Sequence, residues 1–352
     1  EIGKRVTKGQ IQKTSMWFLL VTFSLCSSIS MLEANNSFFS SQRPEEAPLN
    51  RPIVGILAQE PEAICERHNA ESYIAASYVK FAENMGARVV PLLYTDPLDK
   101  LRSQMDSING LIFPGGATVL IPGDLMADSL DQDGRPVFNE LYTDYMNIAQ
   151  FLFNIAMEKN DAGIHFPIFG HCLGMEVLTM AVIAKKQIEP CEAPLQRATQ
   201  VFINQEQSRI FRDLSPDLKF RVEKSKSILE NHRHCFSPET WANSPELDEF
   251  YLVTSTARDS YQKVYVNSIE GRRYPFYGVQ YHPEKALYEW HYDYDIPHQM
   301  TAIDFSTYLA HQFAAEIRKN SQQFATVEEE AENLIYNTQP IYETGGSFVQ
   351  VY

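Results

Sequence analysis

A chain of 352 residues with 44% hydrophobic, 21% charged and 12% aromatic side chains carries enough apolar material for a sizeable core, which excludes an intrinsically disordered protein. Its formal net charge of −15 and pI near 5.1, with no Lys/Arg cluster, exclude nucleic acid as an expected partner. Five cysteines, widely spaced, do not make a dense disulfide framework.

Residues 1–34 begin with basic side chains and continue into a short apolar run, Met16 to Leu25, followed by small residues. This pattern reads as a secretory signal peptide behind an upstream translated extension, with Met16 as the expected initiator and cleavage after Ser30 or Ala34. The run is too short for a stable membrane anchor, and no later segment is long and apolar enough to span a bilayer. Residues 35–50 are polar and read as a flexible linker. Residues 51–352 show no repeat and no low-complexity break, so a single catalytic domain is expected there. Once Cys26 has left with the leader, Cys65, Cys172, Cys191 and Cys235 remain, enough for two bridges. A reactive Cys172 would leave at least one other thiol unpaired.

"RPIVGILA" reads as a buried strand. "ESYIAASYVKFAENMGARVVPLL" follows as helix, turn and strand, with Ile74, Tyr78, Phe81 and Met85 at helical spacing and Gly86 at the stop. The helix "DKLRSQMDSI" leads to "NGLIFPGG", a strand ending in a glycine pair that frees the backbone for a tight turn. In "ELYTDYMNIAQFLFNIAMEKN" the stripe Leu141, Tyr145, Ile148, Leu152 and Ile155 predicts a helix, and "FPIFGHCLGMEVLTMAVIA" reads as strand, abrupt turn and helix. This alternation predicts an α/β fold with a mostly parallel central sheet and helices on both faces. From Gln200 to Tyr281 the pattern turns β-rich, with strands expected in "LKFRVE", "FYLVTSTA", "QKVYVNSIEG" and "PFYGVQYHPE", and "FSTYLAHQFAAEIRKNSQ" closes the pattern as an amphipathic helix.

In "GHCLG" a cysteine stands between two glycines at a strand-to-helix junction, the layout of a nucleophile elbow. Gly170 and Gly174 allow the tight turn, and the amino end of the following helix favours thiolate at Cys172. The amide of Leu173 is placed for a developing oxyanion, and the amides of Gly115 and Gly116 in "FPGG" would complete the hole. Taken alone, the pentapeptide also fits an inert buried thiol. A nucleophilic thiol needs a base, and "GVQYHPEKA" supplies His282 after an apolar strand, with Glu284 two residues on to orient the imidazole. Cys235 and the neighbouring His234 lack a second Cys/His pair at ligand spacing, so no metal site is expected.

The order Pro-Gly-Gly, Gly-x-Cys-x-Gly, His-x-Glu resembles the class I glutamine amidotransferase-like superfamily, whose sheet is flavodoxin-like. Within it the chain is similar to the gamma-glutamyl hydrolase family. The matching stretches are "RPIVGILAQE", "YIAASYVKFAENMGARVVPL", "INGLIFPGG", "FPIFGHCLGME", "NHRHCFSPE", "YPFYGVQYHPEKALYEW" and "LIYNTQPIY", from Arg51 nearly to the C-terminus. The resemblance implies Cys172 as nucleophile, His282 as general acid and base, Glu284 as its orienter, and His232 as a histidine near bound substrate. It also implies cysteine hydrolysis of folate poly-γ-glutamates without metal or organic cofactor, a homodimer, and residence in lysosome, vacuole or extracellular space. A general γ-glutamyl amide hydrolase, an amidotransferase-type amidase and a non-catalytic binding protein are the alternatives. Glu176 stands where ammonia-delivering amidotransferases usually carry Gln, which favours hydrolysis. Two positions depart from the hydrolase pattern: His171 replaces a small hydroxyl residue and is expected to face outward, and Met175 replaces an aromatic. Of the basic residues near the histidine loop, Arg272, Arg273 and Lys285, the expectation is solvent exposure.

Overall fold

The computed structural model describes residues 50–61, 68, 70–121, 142–183, 188–342 and 348–352. The expected leader, residues 35–49 of the linker, Cys26, Cys65 and Leu141 lie outside the described residues. The described residues fall into one compact unit.

Strand β1 (Ile53–Leu57) is buried along its whole length, as a strand covered on both sides must be. Its residues alternate between two apolar clusters: Ile53 and Leu57 belong to one, Val54 and Ile56 to the other. The first cluster is closed by the buried stripes of helices α2 (Leu98–Met105), α3 (Asp144–Asp161) and α4 (Leu173–Ile183). The second is closed by α1 (Ala76–Asn84) and by the long C-terminal helix Met300–Ile317. The expected two-faced α/β arrangement is therefore present.

Strands β2 (Arg88–Leu92), β3 (Gly110–Phe113) and β4 (Ile168–His171) join β1 in parallel, and later in the chain β10 (Phe276–Val279) pairs in parallel with β4. The order β2-β1-β3-β4-β10 is the flavodoxin-like winding, with β10 in the fifth place. Between β4 and β10 the chain builds the β-rich portion. There β9 (Val264–Gly271), β8 (Tyr251–Arg258) and the short β6 (Val201–Phe202) extend the sheet antiparallel to eight strands, while β5 (Glu189–Ala198) and β7 (Ile228–Cys235) form a separate two-stranded ribbon.

One expected strand is a helix. "LKFRVE" lies in the helix Pro216–Lys224, because Ser215 accepts a hydrogen bond from Leu218 N–H, Pro216 starts the first turn, and Asp217 pairs with Arg221 one turn on. Leu218 and Val222, four residues apart, are its buried face. Alternation over six residues did not distinguish the two periods until the cap was counted.

Because β1, β3, β4 and β10 run in the same direction, the loops after them open on one edge of the sheet. Gln59, Gly115, Cys172 and His282 all stand within a few residues of those carboxyl ends, the edge where parallel sheets carry their sites.

Candidate active site

Cys172 is the single residue between β4 and α4, and its φ of 51° lies in the left-handed region. A non-glycine residue held there costs about 1–3 kcal/mol and persists only where its surroundings enforce it. They do so here: Cys172 N–H donates to Val279 O at 2.7 Å, and the Cys172 carbonyl accepts from Met175 N–H and Glu176 N–H at 2.9 and 3.3 Å, starting the helix. The two flanking glycines are required by contact. A Cβ at Gly174 would run into the Phe113 carbonyl oxygen, and one at Gly170 into the Gly174 carbonyl. The ends of β3 and β4 thus close tightly beneath the thiol.

The histidine loop follows β10. His282 Nδ1 hydrogen-bonds Glu284 Oε1 at 2.8 Å, and both side chains are buried, Glu284 completely. Its Nε2 has no hydrogen-bond partner among the described residues. A Cβ built at Gly115 would stand 2.9 Å from His282 Cε1 and 3.1 Å from Cys172 Cβ, so imidazole and thiol flank one point and the glycine there makes room for both. Base, orienter and thiol, separated by 110 residues in sequence, are assembled by the pairing of β4 with β10.

His171 does not face outward. It is fully buried, with Nδ1 3.2 Å from the second oxygen of Glu284 and its ring edge-on to Phe81 and Phe169. As the last residue of β4 it points to the face opposite Gly170, and that face is the apolar cluster containing Phe81, Phe169 and Tyr277. Burial lowers the His171 pKa against the pull of Glu284, so the ring is neutral at neutral pH and its Nδ1–H donates to the carboxylate. For Glu284 burial works in the raising direction, yet the charge of His282 and the hydrogen bonds from His171 and His282 prevail and hold the carboxyl far below the usual range. One carboxylate is thus clamped between two histidines.

One of the three amides expected at an oxyanion hole already has a partner. Gly115 N–H donates to the Tyr78 hydroxyl at 2.8 Å, so that amide is occupied. Leu173 N–H hydrogen-bonds the Cys172 sulfur, and Gly116 lines the same cavities as Cys172. Tyr78, which the helical stripe marks only as core, also lies 3.5 Å from His282 Nδ1. Its only sequence signal was a hydroxyl on an apolar helix face.

Burial raises the Cys172 pKa well above the ordinary thiol value, Glu176, Glu284 and Glu230 raise it further, and the Leu173 N–H opposes them. The helix amino end therefore does not make a resting thiolate, as the local sequence implied. The raised value keeps the thiol protonated near neutrality. Alkylation of Cys172 by iodoacetamide should rise with pH without levelling off near neutrality. In Glu176→Gln, which removes a nearby negative charge, the rise should begin at lower pH; mass spectrometry of the modified peptide reads both.

Two cavities meet at Cys172. The larger, about 690 Å³, runs along Gly116–Ile121 and the start of α4 to Asn231, His232 and Arg233 on β7. The smaller, about 170 Å³, contains His282, Asn231, Lys285, Tyr294 and Phe348. His232 lies in the β7 strand on the wall of the larger cavity. Its Nε2 is 3.1 Å from Glu230 Oε2 and its Nδ1 3.0 Å from the His234 carbonyl. Cys235, beside His234, is joined to Cys191 by a disulfide across the β5–β7 ribbon, which takes it out of any ligand set, and Cys172 is a free thiol. Arg272 and Arg273 pair with Asp248 and Asp161 and line neither cavity. Lys285, in contrast, is 2% exposed and belongs to the site.

A family model, Peptidase C26, matches residues 52–284. Gamma-glutamyl hydrolase 1 of Arabidopsis thaliana is 31% identical over 92% of this chain and 89% of its own length. The gamma-glutamyl hydrolase of Homo sapiens is 33% identical over 88% of this chain and 92% of its own. Among solved structures, the glutaminase domain of Trypanosoma brucei CTPS aligns at 13% identity and a TM-score of 0.47 over 78% of this chain and 97% of that one. With the family match spanning most of the sequence, from residue 52 to Glu284, the chain belongs to the peptidase C26 family.

Proposed function

We propose that this protein is a cysteine hydrolase that cleaves the γ-glutamyl bonds of folate poly-γ-glutamates, with Cys172, His282 and Glu284 as its catalytic residues. The observation that carries the reading is the strained elbow at Cys172 facing an imidazole whose far nitrogen is held by a buried, ionised carboxylate. As the Cys172 sulfur attacks the γ-carbonyl carbon, its proton passes to His282 Nε2, and the amides of Leu173 and Gly116 receive the oxyanion. Collapse breaks the C–N bond, and His282 gives that proton to the departing amine. Water then loses a proton to His282 while its oxygen attacks the thioester carbon, and the C–S bond breaks with return of the proton to sulfur. Glu284 stays ionised throughout and keeps Nδ1 protonated, so that Nε2 accepts.

The substrate class follows the curated relatives, which are named gamma-glutamyl hydrolases across plants and mammals. The 690 Å³ cavity, with Arg233 on its wall, offers room for an extended acidic chain. His232 belongs to the substrate wall, its orientation set by Glu230. The proposal extends to secretory targeting by residues 1–34, residence in lysosome, vacuole or extracellular space, a single catalytic domain over 51–352 and a homodimer. Acidic surroundings suit a chain of net charge −15 acting on a polyanion, because they discharge part of its surface carboxylates. Incubation of the purified protein with pteroyl tetra-γ-glutamate, with products resolved by chromatography, should show free glutamate or shorter γ-linked chains. Absence of cleavage from acid to neutral pH overturns the proposal.

A further inference from the structure

The β5–β7 ribbon brings Pro194, Leu195, Asn231, His232 and Arg233 to the larger cavity, yet it is a separate sheet of only two strands. Such a ribbon is marginal on its own, and this one is irregular as well. Its ladder shifts register between Pro190 and Ala193 and again between Ala193 and Gln196. Leu195, inside the second shift, is held at φ 50° with its N–H donating to the Asn231 side-chain oxygen at 3.2 Å. Cys191 lies inside the first shift, where the register gives it no ladder partner, and its disulfide to Cys235 closes the ribbon across that gap. A covalent link stands where hydrogen bonding is interrupted.

The bridge also touches a residue of the cavity wall. His232 Nδ1 lies 3.0 Å from the His234 carbonyl and 3.5 Å from the Cys191 sulfur. A disulfide sulfur has no proton to give, so both neighbours accept and Nδ1 carries the hydrogen. Nε2 meets Glu230, and Tyr265, which packs in one small cluster with both cysteines and Ala257, stands edge-on to the imidazole at 5.0 Å. The ring is boxed, and the disulfide is one side of the box. We propose that Cys191 and Cys235 are positioning residues: joined as a disulfide, they hold His232, and with it the ribbon wall of the larger cavity, in the geometry that receives substrate. This rests on the hydrolase reading above and adds what fixes its substrate wall. The chemistry is supported elsewhere. Cys172 and His282 stand at the ends of β4 and β10, and β7 meets the histidine loop at its opposite end, where Leu229 O accepts from His282 N–H at 3.0 Å. Loss of the bridge therefore acts on binding and not on the chemical step.

The test removes the bridge in two ways. In Cys191→Ala/Cys235→Ala, KM for pteroyl tetra-γ-glutamate should rise about tenfold while kcat stays within about twofold. The variant keeps the hydrogen bonds from Asp259 and Ser260 to the Glu192 backbone that anchor β5, and a thermal melt establishes that it is folded. A loss of folded protein would lower the apparent kcat at constant KM, so the split separates positioning from a purely structural role. Wild type needs no mutation: dithiothreitol reduces the bridge to two thiols and closes to its own cyclic disulfide, and oxidised dithiothreitol reverses the exchange. KM should rise and return with the link, which peptide mapping follows. In a His232→Ala background, opening the bridge should change KM by less than about twofold, because the residue it acts through is gone. A KM that stays at the wild-type value once the bridge is shown to be open overturns the proposal, as does an equal rise with and without His232. Failure of the hydrolase reading is separate: wild type with its bridge intact would then cleave nothing, and this proposal would fall with it.

Discussion

Replacing Cys172 by Ala should lower kcat/KM on a γ-linked oligoglutamate by about 10⁵-fold or more, the scale seen when a nucleophile is deleted from a covalent hydrolase. The loss should sit in kcat, because the side chains lining both cavities other than Cys172 are untouched, and the variant should still bind substrate. It should also be no less stable than wild type. Cys172 is held at φ 51°, where neither Cys nor Ala is at ease, and the variant buries no new polar group. Isothermal titration with the oligoglutamate, a thermal melt and a rate assay separate these components. Retained turnover in the variant would remove Cys172 from the chemistry.

Substitution of Glu284 by Gln should lower kcat about 10³-fold, because an amide no longer requires a protonated Nδ1 on His282 and the wrong tautomer presents Nε2–H to the thiol. The same change breaks a fully buried charge site, which costs about 3 kcal/mol at neutral pH. Its pH dependence has a definite sign. The folded Glu284 value is depressed, so its contribution is complete above the unfolded carboxylate value, near pH ~4.3, and is lost as pH falls through the folded one. The gap in Tm between wild type and Glu284→Gln should therefore be widest near neutrality and narrow in strong acid. His171→Phe removes one of the two clamps and leaves the His282 bond intact, so its kcat should fall only about tenfold. A loss for His171→Phe as large as that for Glu284→Gln would mean that His171 does more than position the carboxylate.

Much of this protein was legible in one dimension. Alternating helix and strand periods specified a doubly wound sheet, since hydrophobic spacing reports which faces are buried. The glycines around Cys172 and the His-x-Glu spacing marked a candidate nucleophile and a candidate base, because a strained turn and a base with its orienter can be encoded within a few residues. The helix over Pro216–Lys224 was misread as strand for the same local reason: six residues fit both periods, and the Ser215 cap decides between them.

Tertiary structure alone decided everything that depends on which residues meet across the sheet. The pairing of β4 with β10 set His171 against Glu284 113 positions away and turned an apparent surface histidine into a clamp. Packing of α1 against the strand ends gave the Gly115 amide to Tyr78. Burial, a property of the whole fold, outweighed the helix amino end at Cys172 and raised the thiol pKa. At Lys285 the distant Phe348 ring covers an ammonium that local spacing marks only as an exposed basic residue. Local spacing determines turns and periods; charge, protonation and exposure follow from neighbours that sequence distance does not reveal.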